Sequence, residues 1–193
     1  NNIPDKEGLA FAEEKSGWLR KQLDRQPDIE AVGLGTELPV EGQTLKILKG
    51  SGKRITRDNL AVYVPGPVDT IAARLQGWLK SHARERLVRA SDHYAAQLER
   101  TYTRITLRDT RSRWGSCTHQ GGLMYSWRLI LSPPQVLNYV AAHEVAHLVE
   151  MNHSAQFWST VENIFPDYET PRKWLRENGA ALHRYRFETT SQD

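Results

Sequence analysis

The chain has 193 residues, 39% hydrophobic and 25% charged, with a formal net charge of +3. That is enough for a sizeable core in an ordinary globular composition, and no apolar run approaches the roughly 18 residues a membrane span needs. The single cysteine, Cys117, excludes an intrachain disulfide and fits a reducing compartment, so the cytoplasm is the expected location.

Residues 1 to 27 are polar and charged. Phe11, Trp18, Leu19 and Leu23 suggest a short amphipathic helix there, closed by Pro27. The chain opens on Asn1 rather than Met, consistent with a trimmed N-terminus. Residues 29 to 65 read as β-structure. Thr36 to Val40, Thr44 to Leu48 and Leu60 to Val64 are short apolar or alternating runs, and Gly42, Gly50-Ser51-Gly52 and Asp58-Asn59 supply turns. After PGPVD at 65 to 69, a long helix is predicted over 68 to 100. Ile71, Leu75, Trp78, Leu79, Leu87, Tyr94 and Leu98 recur mostly three or four apart, and Asp69 is placed to help its start. His82 and His93 lack a second ligand at local spacing and read as surface or packing residues.

Residues 103 to 109 alternate polar and apolar like a half-buried strand. SRWGSC, Gly121-Gly122 and GLMYSWRLIL then read as a hairpin with a glycine-rich turn. Arg104, Arg108, Arg111 and Arg113 crowd within ten residues, either as a solvated face or as an anion-binding group. Ser132 is the expected N-cap of the next helix, with Pro133 first and Gln135 completing a capping box. That helix should run to about Glu150, largely buried through Val136, Leu137, Val140, Val145, Leu148 and Val149.

This helix carries HEVAH. His143 and His147 are four residues apart, so both imidazoles leave one helix face a turn apart, within reach of one Zn²⁺. Glu144 beside them is placed to take a proton from water activated by such an ion. Burying these three polar groups together without partners would be costly. A third ligand is needed. His153 can supply it if the chain leaves the helix after His147 and returns, with Asn152 in a left-handed turn and Ser154 capping the next helix. Glu162 is the alternative ligand. The spacing matches metzincins, but Glu150 replaces their glycine, and Met124 and Met151 leave no methionine downstream for a Met-turn.

RDTRSRWGSC (108 to 117), YVAAHEVAHLVEMNHSAQFW (139 to 158) and FPDYETPRKWL (165 to 175) together resemble the YgjP-like metal-dependent hydrolases, akin to the SprT and Wss1-like proteases. The likeness runs from about Trp18 to Leu182. It implies an α+β, zincin-like domain with a small antiparallel sheet, one zinc ion, His143, His147 and His153 as ligands and Glu144 as base. Ser126 stands where the family commonly has Asn, and the extra hairpin that members tend to carry upstream of Trp18 is absent.

In zincins a strand above the metal can pair with an extended peptide, and residues 123 to 130 are the candidate. Trp114 and Gly115 are expected to shape the preceding turn. Arg113, Tyr125, Arg128 and Tyr139 are the substrate-binding candidates, Arg113 for a carboxylate or phosphate and the tyrosines as oxyanion donors. Cys117 reads as a small buried residue. The leading expectation is a single catalytic domain that hydrolyses a polypeptide. The arginines keep open a nucleoside triphosphate pyrophosphatase on the same zinc. A zinc-stabilised nucleic-acid-binding module, with four ligands and no catalysis, is the non-enzymatic alternative.

Overall fold

The computed structural model describes residues 28–187; the helix expected within 1 to 27 lies outside them. Within these residues, nine strands and four α-helices are joined by three 3₁₀ turns. The strands are β1 (Glu30–Ala31), β2 (Glu37–Val40), β3 (Gln43–Lys49), β4 (Thr56–Arg57), β5 (Ala61–Val64), β6 (Arg104–Arg108), β7 (Gly115–Cys117), β8 (Gly122–Ser126) and β9 (Tyr185–Arg186). The helices are α1 (Ile71–Gln97), α2 (Pro134–Ala146), α3 (Ala155–Ile164) and α4 (Glu169–Asn178). No helix among them is long and apolar enough to cross a membrane.

The three β-runs expected between 29 and 65 are present as β2, β3 and β5. Glu41 and Gly42, both at positive φ, form the two-residue turn between β2 and β3, a backbone shape for which glycine is suited. β3 then pairs in parallel with β5, giving the order β2-β3-β5-β4. The second sheet has the order β6-β8-β7. The expected hairpin is there, as antiparallel β7 and β8, but β6 runs parallel to β8. Both sheets are therefore mixed rather than purely antiparallel. The burial pattern explains the order in the second sheet. β8 is buried at four of its five positions and takes the centre, whereas β6 begins and ends on exposed arginines that suit a sheet edge.

Helix α1 starts after a 3₁₀ turn at Val68–Thr70 containing Asp69. Ile71, Leu75, Leu79, Ala83, Leu87 and Tyr94 form its buried stripe. It packs against α2, against the 3₁₀ turn Trp127–Leu131, and against β5 and β6. One buried cluster reaches from Val32 to Phe187 through these elements. α2 is buried on nearly every side, so its ends are fixed by their neighbours. Its start differs from expectation. Ser132 closes the preceding turn by donating to the Leu129 carbonyl at 2.7 Å, and Pro133 is an N-cap without a side-chain bond. The proposed Ser132–Gln135 capping box does not form. The helix also ends at Ala146, with His147 as its C-cap, rather than at Glu150.

Candidate metal centre

His143 lies in the last turn of α2 and His147 at its end. Four residues of helix bring the two rings to 5.1 Å between centroids. The chain then turns back to deliver His153. Asn152 makes this turn with its side chain: Oδ1 accepts from the Ser154 amide at 2.9 Å. Its backbone is not left-handed, contrary to expectation. Ser154 caps α3 as expected, accepting from the Phe157 amide at 3.2 Å. The His153 and His143 Nε2 atoms come within 3.1 Å. One nitrogen from each of the three histidines lies within 4.8 Å of the others.

Aromatic packing holds these rings. Phe157 is fully buried beneath them, 4.5 to 4.9 Å from each by centroid. Tyr139 meets His143 edge-on at 5.9 Å. Trp158 stacks on exposed His153 at 5.9 Å, Tyr168 stacks on Trp158, and the Arg172 guanidinium lies 4.3 Å from the Trp158 ring centre. The Nδ1 of His143 is buried without a hydrogen-bond partner among the described residues, so packing rather than a polar bond orients that ring.

The protonation states suit a cation. Burial, aided by His147 and His153, pushes His143 down to about 3, so it is neutral. Burial also lowers His147, against the pull of the Glu150 carbonyl. Its Nδ1 lies 3.0 Å from that carbonyl, which can only accept. The proton therefore sits on Nδ1, and Nε2 presents its lone pair. A tetrahedral ion with bonds of about 2.0–2.1 Å holds neighbouring ligands about 3.3 Å apart, close to the His143–His153 separation. Three imidazoles at this spacing fit a divalent metal, with zinc favoured by the donor type.

Glu144 is 6% exposed and packs against β7 at Gly115. Burial raises its carboxyl to about 8, while the charge of Arg113 pulls the other way. A nearby cation would pull it further down. Arg113 itself is exposed, and Tyr139 is buried beside His143.

Two other predicted contacts lie elsewhere. Tyr125 is fully buried, its hydroxyl 2.9 Å from Ser91 Oγ, so it is a core residue and not an oxyanion donor. Arg128 is 7% exposed and reaches Asp109 twice, at 2.6 and 3.1 Å, and the Leu182 and Tyr185 carbonyls at 3.0 and 3.1 Å. Its guanidinium is consumed in tying the Trp127–Leu131 turn to the C-terminal residues. The strand expected to pair with a peptide is not a free edge. β8 ends at Ser126 and has strands on both sides, leaving no edge for a peptide. β6 and β7 are the sheet margins, and β7 is the one that packs beside Glu144.

Glu162 is exposed on α3 and outside the histidine cluster. Cys117 is half-buried and also outside it. Burial first, then Glu144, pushes its thiol up to about 11, which leaves it protonated. His82 bonds Glu41 and His93 bonds Gln97, both away from the centre. Trp158 and Arg172, which no spacing rule singles out, also border the cluster. Their one available signal was position, directly after His153 and within the FPDYETPRKWL segment.

The family described as YgjP-like, metallopeptidase domain, matches residues 1–178. Among solved structures, the crystal structure of the metallopeptidase zymogen of Pyrococcus abyssi abylysin is similar at a TM-score of 0.42 and 19% identity, covering 47% of this chain and 93% of that one. No curated protein matches. With a match over that length, the chain belongs to the YgjP-like metallopeptidase-domain family.

Proposed function

We propose that this chain is a zinc-dependent metallopeptidase in which His143, His147 and His153 hold one ion and Glu144 is the general base. The observation that carries the reading is the convergence of three imidazole nitrogens within 4.8 Å, on the helix that also buries Glu144. When bound, zinc would lower the pKa of water and polarise the scissile carbonyl. Glu144 accepts the proton from the attacking water and returns it to the leaving amine. The margin of β7, Gly115–Cys117, lies beside Glu144 and offers backbone groups with which an extended polypeptide can pair. Tyr139, edge-on to His143, Arg172, over the Trp158 ring, and Arg113, whose charge acts on Glu144, are the candidate donors for a developing oxyanion or a substrate carboxylate.

Glu144→Gln should keep zinc at one equivalent and abolish cleavage of fluorescein-labelled casein. Full activity in that variant would sink the mechanism. The exposed arginines Arg104, Arg108, Arg111 and Arg113, the last of which acts on Glu144 through its charge, favour a second reading, a nucleoside triphosphate pyrophosphatase. Pyrophosphate release from a triphosphate panel, lost in Glu144→Gln, would select it. The closed four-ligand nucleic-acid-binding module has less support, because no fourth His, Cys, Asp or Glu joins the cluster among the described residues.

A further inference from the structure

Gly115 stands out among the glycines of the described residues. Its φ is not in the left-handed region, so its backbone conformation does not call for glycine. Space does. A Cβ built on Gly115 would lie 2.5 Å from Glu144 Oε1, 2.6 Å from its Cγ and 2.7 Å from its Cδ, and these are its three nearest atoms. Ordinary carbon contacts are near 3.5–4.0 Å, so any side chain here requires a shift of about 1 Å.

Strand β7 is poorly placed to supply that shift. Gly115 is in register with buried Tyr125, and the carbonyl of Trp114 accepts from the Ser126 amide at 2.8 Å. The Trp114 ring is itself wedged against His183 and Gly179. The helix backbone is equally fixed, because α2 is buried on almost every side. The remaining degree of freedom is the Glu144 side chain.

We infer that Gly115 is a positioning residue for Glu144: the missing side chain is the seat that holds the carboxylate in one place, and filling it displaces the base without disturbing the three histidines. The inference rests on the reading of Glu144 as the proton acceptor. It adds that the glycine of RWGSC is required by the carboxylate, and not by the turn it precedes.

The test uses the zinc-loaded full chain and a thermal double-mutant cycle. Gly115→Ala should lower Tm by several degrees where Glu144 is present. It should lower Tm much less when combined with Glu144→Ala, which removes the obstructing carboxylate. On labelled casein, Gly115→Ala should lose about 100-fold in kcat with KM and zinc stoichiometry unchanged, the cost of misplacing a catalytic group by about 1 Å. An equal Tm loss in both backgrounds, including failure to fold in both, would overturn the inference. So would a wild-type kcat in Gly115→Ala. The thermal cycle is read without turnover, so its outcome is separate from that of the peptidase reading, which Glu144→Gln decides.

Discussion

His153 is the most exposed of the three histidines, and Trp158 is the residue stacked on its ring. Removing that support should let the imidazole rotate away. Trp158→Ala is expected to weaken zinc binding about tenfold, in the range of lost outer partners at metal sites, as read by chelator competition. An unchanged affinity would mean that the Asn152–Ser154 turn alone orients His153. Tyr125 offers the contrary case. Its hydroxyl bonds Ser91 in the buried core, so Tyr125→Phe should cost about 1–2 kcal/mol of stability through the stranded serine. Turnover should be untouched; a large loss of kcat would return Tyr125 to the catalytic machinery.

Arg128 acts at the level of elements. It joins the Trp127–Leu131 turn to Asp109 after β6 and to the carbonyls of Leu182 and Tyr185. Arg128→Ala strands all three acceptors and should cost about 2–3 kcal/mol, less than a fully buried pair because Asp109 is 40% exposed. Burial pushes the Asp109 carboxyl up, but the hydrogen bond and charge of Arg128 outweigh it and hold the group below the usual carboxylate range. The folded pKa thus lies under the unfolded value of about 3.9. Its contribution is complete above that value and is lost as pH falls through the folded pKa. The stability gap between wild type and Asp109→Asn should stay constant near neutrality and close below about pH 4. A gap that persists to pH 2 would show that the bond is not ionic in origin.

A metal ion at this centre would act on the molecule as a whole. Its three imidazoles come from the end of α2 and from the loop before α3, so an ion would clamp these elements together in the folded state alone. Zinc at about 1,000 times its Kd would add about 4.1 kcal/mol, or about 8–16 °C in Tm for a chain of this size. Chelation should remove that increment and zinc should restore it. Glu144→Gln should keep the increment and His153→Ala should lose most of it. An increment that survives in His153→Ala would place the ion elsewhere.

Local patterns were enough for much of this molecule. The four-residue spacing of His143 and His147, the stripe along α1 and the β-runs at 36 to 64 each depend on neighbours a few residues apart. Periodicity and turn chemistry report such neighbours directly. The bounds of α2 and the partners of β8 depend on distant residues. The Ser132 hydroxyl was drawn to the Leu129 carbonyl, and α2 took the start and end its surroundings allowed. Buried β8 took the sheet centre and left β7 at the margin. Arg128 and Tyr125 carry the same side chains whether they serve a substrate or a scaffold. Only their partners, Asp109 and Ser91, decided it. The sequence by itself determined which groups could bind metal and move a proton, because that chemistry resides in the side chains and their spacing on one helix. Tertiary structure decided which groups meet, and why Gly115 must have no side chain, because close approach between distant segments is set by packing.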